Sequence, residues 1–265
     1  MKYLGGKNKI GKELACIFDK IVNNNDVDGY LEPFCGSLGV FKRVIPYNYK
    51  KYIAADVHED LIKLWKELQN DTLKLPKKIT EKDYIKLKNS NESSSLRAVV
   101  GFGLSFGGKF FNGYSQKYSA NSGRDFYQEM KRALDKIKPI IQKSNISFVN
   151  KSYDNFNPDN MLVYCDPPYE DTTKYKSTND FDSNKFWETM RKWSKNNYVF
   201  ISEEKAPKDF LCIWTKSRNR STSLKNREYK LEKLFVYKYG KVKVNSKNKK
   251  TIKKCKNVIR KTKKK

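Results

Sequence analysis

Short apolar runs recur along this chain and end in charged or turn-forming residues. Seven of them are long enough to form buried strands: Gly29–Phe34, Tyr52–Ala55, Ile146–Val149, Met161–Cys165, Tyr198–Ser202, Phe210–Trp214 and Leu234–Tyr237. Between several runs, apolar residues recur every three or four positions, as in Glu59–Leu68 and Phe126–Ile141, which predicts amphipathic helices. Strands that alternate with helices predict an α/β fold layered around a largely parallel sheet.

One stretch interrupts this alternation. Residues 73–124 contain no clear strand–helix unit and end in a segment rich in Gly, Asn, Ser and Tyr. We therefore expect an inserted lobe, or a hairpin-bearing loop, beside a catalytic domain made of residues 1–72 and 125–237. Residues 238–265 are rich in lysine and poor in apolar residues, which predicts a disordered tail.

The charge is strongly unbalanced. The chain has 56 Lys and Arg against 29 Asp and Glu, a net charge of +27. The tail contains 14 basic and no acidic residues, so the remaining +13 belongs to the body. An excess of this size favours a polyanionic partner, because Lys and Arg release counterions when they neutralise phosphates. Since the body alone is basic, polyanion binding does not depend on the tail.

Cysteine and histidine usage suggests no metal site. The five cysteines are scattered, and the only histidine is His58, so no zinc-ligand spacing exists. An odd number of scattered cysteines favours a reducing intracellular compartment. The sequence has neither an apolar signal core nor an 18-residue apolar run. We therefore expect a cytoplasmic protein, or one inside a virus-infected host cell, that is neither secreted nor bound to a membrane.

The motif Asp166-Pro167-Pro168-Tyr169 follows the apolar run MLVYC. A strand would deliver these residues to its carboxyl end, where ligands bind in open α/β sheets. An Asp carboxylate can accept a hydrogen bond from an exocyclic amine, and the turn held by proline can present a carbonyl for the same purpose. The Tyr169 ring could stack on an extruded base. A rigid Pro-Pro turn without a chemical role is the alternative.

Three further segments could form a nucleotide-like site. The segment Tyr30–Val40 predicts a strand that breaks into a glycine-containing turn before a helix, where backbone can approach a ligand closely. Asp56 ends the next predicted strand and could bind ribose hydroxyls, or could cap the following helix, as could Asp60. The segment Tyr3–Lys7 is a Gly-Gly turn before a lysine that could hold a carboxylate, or it could be a disordered end.

In their order along the chain, YLGGK, EPFCG, the strand-end Asp56 and DPPY resemble the Dam-type (D12 class) DNA adenine-N6 methyltransferases. The segments Phe200–Phe210 and Glu232–Tyr237 are similar to phage-like and giant-virus-like members of that class. The resemblance covers residues 1–237. It implies a Rossmann-like, S-adenosylmethionine-dependent methyltransferase sheet with an inserted target-recognition lobe.

The resemblance also implies roles for individual residues. Positions that match the family's cofactor-binding residues are Tyr3, Lys7, Glu32, Phe34, Gly36, Asp56 and Asp166. Those that match the catalytic motif are Asp166, Pro167, Pro168 and Tyr169. The insert would contact DNA through Lys109, Asn112, Tyr114, Lys117 and Arg124. The implied cofactor is S-adenosylmethionine, the partner is double-stranded DNA with a flipped base, and we expect a monomer.

Two features depart from the family pattern. The loop's second glycine usually stands two residues after the first, but here Gly39 is displaced by one position. The basic tail is not typical of the family and could anchor duplex DNA or direct nuclear transport. Three other functions stay open: methylation of an RNA base amine, methylation of cytosine N4, and DNA binding without catalysis. Aspartate at the start of DPPY favours adenine within the family.

Overall fold

The computed structural model describes residues 2–23, 26–116, 123–168, 181–221, 227–245, 252 and 255; for 218–221 and 227–230 it describes the backbone. It contains one seven-stranded sheet in the order β3-β2-β1-β4-β5-β7-β6. Its strands are β1 (Gly29–Glu32), β2 (Tyr52–Asp56), β3 (Ile146–Asn150), β4 (Met161–Cys165), β5 (Tyr198–Glu203), β6 (Phe210–Ser221) and β7 (Arg227–Tyr237).

All seven predicted apolar runs form strands, which confirms the α/β prediction. The five strands from β3 to β5 in the sheet order are parallel to one another, and β7 is antiparallel to both β5 and β6. Every residue of β4 is buried, because helices or loops cover both faces of the central sheet. The strand order reverses between β1 and β4, the place where ligands bind in open α/β sheets.

Seven helices accompany the strands in the described part of the chain. They are α1 (Gly11–Ile21), α2 (Phe41–Val44), α3 (Glu59–Gln69), α4 (Glu81–Asn89), α5 (Ser95–Gly103), α6 (Phe126–Gln142) and α7 (Ser183–Trp193). The predicted helices at 59–68 and 126–141 are α3 and α6. The side chain of Asp125 caps α6 by accepting hydrogen bonds from the N–H groups of Tyr127 and Gln128.

Two hydrophobic clusters lie on opposite faces of the sheet. The larger contains Tyr30 of β1 and Tyr164 of β4 together with apolar residues of α1, α3, α5 and α6. The smaller contains Leu31 and Val163, the neighbours of those two tyrosines in β1 and β4, packed against α7. This alternation follows from the two-residue period of a strand. Because both faces of the sheet are covered, a ligand can reach it at the ends of the strands.

The insert differs from the lobe that we predicted. The described part of residues 73–124 contains two α-helices, and there the hairpin is reduced to one bridge between Ser105 and Tyr114. Ala98 and Phe102 of α5 are buried within the larger cluster of the main body. The apolar residues of α5 follow helical spacing, so they continue the core and do not enclose one of their own.

The tail also differs from its prediction. Val242 and Ile252 are buried in the larger cluster, and Cys255 forms a disulfide with Cys16 of α1. These three residues of the tail thus pack on the body, although lysines surround them in sequence. The expectation that cysteines here are reduced is wrong for this pair; among the described residues, Cys35 and Cys165 are free thiols.

Candidate active site at the carboxyl edge of the sheet

Acidic residues gather where the parallel strands end. Glu32 is the last residue of β1, Asp56 is the last of β2, and Asp166 follows β4 directly. These three strands are neighbours and run in the same direction, so their carboxyl ends meet at one edge. The edge coincides with the reversal of strand order, and the structure therefore brings the predicted acids together.

Lys7 joins the N-terminal segment to the DPPY motif. Its Nζ donates a hydrogen bond to Asp166 Oδ1 at 2.7 Å, lies 3.5 Å from Glu232 Oε2, and donates to the Gly5 carbonyl at 3.3 Å. The Lys7 side chain is 2% exposed, so its charge is balanced by the two carboxylates instead of by water. Residues separated by 159 positions in sequence are thereby held in one ionic cluster.

The glycine loop is held from both sides. Gly36 has φ +42°, donates its N–H to Asp56 Oδ2 at 2.9 Å, and accepts a hydrogen bond on its carbonyl from Trp65 Nε1 at 2.9 Å. A Cβ on Gly36 would lie 2.9 Å from Cε1 of the Tyr3 ring, so glycine lets the N-terminal segment approach. Leu38 stands where the family pattern has its second glycine. This buried residue adopts φ +56°, a conformation that is uncommon for residues other than glycine.

Asp56 organises this loop. Its second oxygen, Oδ1, accepts a hydrogen bond from the His58 N–H at 2.9 Å. His58 stands at the N-cap of α3 without a side-chain cap bond, so the carboxylate secures the turn before the helix. Burial raises the pKa of Asp56, against the stabilising effect of the two N–H donors. Asp60, the other acid considered, forms an ion pair with Arg97 at 3.2 Å and is structural.

Glu32 is buried beside these groups. Its Oε2 accepts a hydrogen bond from the Tyr30 hydroxyl at 2.6 Å. Burial raises the pKa of Glu32 well above its ordinary value, and the neighbouring charges of Asp166 and Asp56 raise it further. Carboxyl groups with perturbed pKa values that meet at a cleft are typical of functional sites.

Phe34 points to a different neighbourhood. Its ring packs against Tyr153 at 5.4 Å and Phe186 at 6.0 Å between centroids, and it joins the smaller hydrophobic cluster. Phe34 therefore supports the turn after β1 from the face covered by α7.

The DPPY motif borders a cleft. Pro167 is buried, and Pro168 lines a cavity of about 260 Å³ together with Phe181, Trp187 and Glu203. Burial raises the pKa of Glu203 to about 8, although the Glu204 N–H donates to its Oε1 at 2.8 Å. Tyr169 lies outside the described residues.

Glu203, Trp187 and Glu232 were not predicted as site residues. Glu232 is 4% exposed, within the strand β7. A signal existed in the sequence, since each of the two acids interrupts or ends an apolar strand run. Their positions in space depend on how β5 and β7 pair, which the sequence pattern does not show.

The predicted DNA contacts of the insert separate into different groups. Asn112 is exposed and Lys109 is partly exposed, while exposed Arg124 forms an ion pair with Glu129 at 2.6 Å. Tyr114 is buried, and its hydroxyl donates to the Ile79 carbonyl at 2.6 Å, so the prediction that Tyr114 contacts DNA is corrected. Its aromatic ring fills the core under the insert. Lys117 lies outside the described residues.

Lys109 belongs to a turn beside the N-terminal segment. The Leu4 N–H donates to the Gly108 carbonyl at 3.0 Å, so the insert adjoins the site at this point.

No helix in the described part of the chain is long and apolar enough to cross a membrane.

Comparison with known proteins gives consistent results. A family model described as D12 class N6 adenine-specific DNA methyltransferase matches residues 3–97, which include YLGGK, EPFCG and Asp56. The type II methyltransferase M.MjaIII of Methanocaldococcus jannaschii is 25% identical over 210 residues, 67% of this chain and 71% of that protein. The type II methyltransferase M.FokI of Planomicrobium okeanokoites is 25% identical over 201 residues, 65% of this chain but 29% of that protein.

Among solved structures, the chain is similar to PH1948 of Pyrococcus horikoshii, described as a candidate RNA methyltransferase. The TM-score is 0.39 with 9% identity, covering 87% of this chain and 81% of that one. From the family match over residues 3–97 and the two type II relatives, together with the motifs that meet at the sheet edge, we conclude that this chain is an enzyme similar to the D12 class of N6 adenine-specific DNA methyltransferases.

Proposed function

We propose that the carboxyl edge of β1, β2 and β4 binds S-adenosylmethionine and presents it to an adenine extruded from duplex DNA. Similarity to a methyltransferase family implies this cofactor in general. The observation that carries the proposal for this site is the 2.7 Å contact between Lys7 and Asp166. It joins the N-terminal segment to the catalytic motif beside the glycine loop, so cofactor and target groups would face one another.

The donor groups present fit the cofactor. Its sulfonium and ammonium groups are cationic, and the edge offers the carboxyl groups of Glu32, Asp56 and Asp166. Asp56 accepts N–H groups of the glycine loop and of the turn before α3, and a carboxylate has about four acceptor sites, so it can also accept from ribose hydroxyls. Ser37 Oγ is buried and has no hydrogen-bond partner among the described residues, so it can serve a ligand in the glycine loop. S-adenosylmethionine would supply an electrophilic methyl group on a positively charged sulfur.

Lys7 acts as a positioning residue. Because its Nζ is shared by Asp166 and Glu232, it holds the Asp166 carboxylate at a defined place and is not a free cation. Its role as a cofactor contact, which the family resemblance implies, stays a proposal. Tyr3 packs on Gly36 and keeps that segment against the loop.

Asp166 and the Pro167 carbonyl accept hydrogen bonds from the exocyclic amine of the target base. With S-adenosylmethionine bound as methyl donor, these two acceptors would orient the amine nitrogen toward the methyl group and stabilise the positive charge that develops on that nitrogen. Alignment does most of the work, and no strong base is needed. The cleft beside Pro168 and Trp187 receives the flipped base, and Tyr169 is proposed to stack on it.

Product analysis tests the proposal. The protein is incubated with S-adenosylmethionine carrying a tritiated methyl group and with duplex DNA or RNA of matched sequence; the products are digested to nucleosides and identified by mass. We expect N6-methyladenine from DNA only. Label confined to RNA, label on cytosine N4, or no transfer to any nucleic acid would each contradict the proposal.

Two predictions about the whole protein stay predictions. The monomeric state is tested by light scattering with and without duplex DNA. The cytoplasmic location is tested by fractionating cells that express the chain.

A further inference from the structure

The antiparallel end of the sheet extends past the active site. β5 ends at Glu203, which lies opposite Lys233 of β7. Because β7 runs against β5, its earlier residues continue beyond the carboxyl edge, together with their partners in β6. Six residue pairs, from Lys216 with Glu232 to Ser221 with Arg227, form this extension. At about 3.4 Å for each residue, they project about 20 Å beyond the edge that carries Asp166.

We call the paired residues 216–221 and 227–232 the basic ribbon; residues 222–226 lie outside the described residues and are not part of it. In the part that is described, no third strand pairs with 216–221 or 227–232. The ribbon contains five cationic residues, Lys216, Arg218, Arg220, Arg227 and Lys230, and two acidic ones, Glu228 and Glu232. Glu232 is buried, so a net positive charge remains on the projecting part.

The base of the ribbon is fixed to the active site. Glu232 lies 3.5 Å from Lys7, which in turn contacts Asp166. On the opposite strand, Lys216 forms an ion pair with buried Glu13 of α1, whose carboxylate also accepts a hydrogen bond from Trp214 at 2.7 Å. The ribbon therefore begins at a rigid point and has a defined direction relative to the catalytic motif.

The backbone register of the ribbon puts basic residues at opposite positions. The register places Arg218 opposite Lys230, so these positions share one face together with Arg220. Like charges at opposite positions destabilise a strand pair unless a counter-charge neutralises them. Asn219 and Tyr229 occupy opposite positions on the other face, and their side chains can donate and accept hydrogen bonds. Such a surface fits a polyanion that also carries hydrogen-bonding edges.

We propose that the basic ribbon enters the major groove of duplex DNA beside the extruded adenine. The major groove of B-form DNA is about 12 Å wide and admits a two-stranded ribbon, whereas the major groove of A-form RNA is too narrow for side chains. The inference rests on the proposed function, since it places the ribbon next to the base that is methylated. It adds a DNA-contacting element separate from the insert.

A charge-removal variant tests the ribbon. Arg218→Thr, Arg220→Thr and Lys230→Thr are combined, because threonine favours strands and should preserve the pairing. The matched control combines Lys50→Thr, Lys143→Thr and Lys195→Thr, three exposed residues just before β2, β3 and β5 at the opposite edge. Binding of a fluorescent duplex is measured over a series of salt concentrations.

We expect the ribbon variant to lose at least about tenfold in affinity, and its salt dependence to fall by about two to three in slope. The control should keep the parent slope. Equal slopes for the ribbon variant and the parent would overturn the proposal. Calorimetric titration with S-adenosylmethionine should give the parent affinity for both variants, which separates loss of DNA contact from loss of folding.

A second measurement locates the groove with the unaltered chain. Duplexes that carry bulky substituents at C5 of pyrimidines fill the major groove. They should bind the parent at least about tenfold more weakly than the unmodified duplex, and unchanged affinity would overturn the major-groove placement. If the parent methylates no adenine but the ribbon variant still loses salt dependence, the proposed function fails and the ribbon as a DNA contact stands.

Discussion

The carboxyl edge of the sheet and the basic ribbon beyond it differ in charge. The edge collects five carboxyl groups around one buried lysine: those of Glu32, Asp56, Asp166, Glu203 and Glu232. The ribbon collects cations in a chain whose net charge is already +27. Burying a carboxylate costs free energy of desolvation, and its negative charge does not help to bind a polyanion. A group of buried carboxyl groups in this basic protein therefore needs another explanation. The net positive charge therefore indicates a polyanionic partner, and the local group of carboxyl groups indicates where the reaction takes place.

The two regions also differ in how they are held. In the site, Asp56 binds two backbone N–H groups and Lys7 binds two carboxylates, so the geometry is set before any ligand arrives. Beyond Lys216 and Glu232, the described ribbon backbone pairs only with itself. A segment with few neighbours opens more easily than a core strand. We infer that the edge is built for alignment and the ribbon for adjustment to DNA.

The largest effect should come from separating chemistry from DNA binding. Asp166→Asn keeps the shape of the side chain but removes its charge and replaces one acceptor by a donor. We expect the methyl-transfer rate to fall at least about 10²-fold, because alignment and charge stabilisation are both lost. Duplex affinity should not change, since the cations are untouched. The matched control, Asp135→Asn, alters an exposed acid on α6. A parallel loss of DNA affinity in Asp166→Asn would show that the two regions are not separable.

The next effect tests whether the site is preorganised. Gly36→Ala places a methyl group 2.9 Å from the Tyr3 ring at φ +42°, whereas Gly107→Ala has a similar φ of +66° and nothing within 4 Å. Both should lose about 1–2 kcal/mol from the left-handed backbone. Only Gly36→Ala should lose a further ~1 kcal/mol and bind the cofactor more weakly, because the Tyr3 ring must move. Denaturant unfolding and calorimetric titration measure the two quantities; equal behaviour of the variants would argue against preorganisation by Tyr3.

The third effect concerns pH. The pKa of Glu203 is raised to about 8 in the folded protein from an ordinary value of 4.5. The folded state therefore holds this proton more tightly, and the stability it contributes is complete below pH 4.5 and lost as the pH rises through 8. Glu203→Gln cannot ionise, so its melting temperature should exceed that of the parent more at pH 9 than at pH 6. Glu188→Gln, at an exposed position of α7, should show no such trend. If the difference in melting temperature between Glu203→Gln and the parent were the same at pH 6 and pH 9, the Glu203 carboxyl group would be exposed to water.

The smallest effect tests whether the basic tail is docked. Ile252→Val removes one methylene from a residue that is 4% exposed, and Ile85→Val makes the same change at a residue that is 51% exposed. We expect Ile252→Val to lower the free energy of unfolding by about 0.5–1.5 kcal/mol. Ile85→Val should change it by less than ~0.5 kcal/mol. Equal small effects would mean that the tail does not pack on the body in solution.

Much of the fold could be predicted from local pattern. The seven apolar runs became the seven strands, and the helices α3 and α6 lie within a residue or two of their predicted bounds. The helix α4 was missed because its apolar residues are few, and α5 was missed because polar NSNESSS precedes it and two glycines interrupt its apolar residues. The burial of Ile252 was missed for a related reason: one apolar residue among lysines has no periodicity.

The site was predicted in outline, and its corrections have physical causes. Tyr114 was expected on the surface because its neighbours are polar, but its ring and hydroxyl both find partners under the insert. Lys7 was expected to face a ligand carboxylate and instead contacts two carboxylates of the chain. In both cases a polar group was assigned to a ligand although the fold itself supplies the partner.

The sequence by itself determined where strands occur and that Asp56 and Asp166 stand at strand ends, because local apolar pattern and turn chemistry are sufficient for that. It did not show that β1 ends at Glu32 or how far β6 and β7 extend. Only the tertiary structure decided that β1 lies between β2 and β4, which brings the three acids to one edge. It also decided that β7 turns back along β5, which places Glu232 against Lys7 and sends the ribbon past the site. The order and direction of strands depend on contacts between residues far apart in the chain, and no local pattern records them.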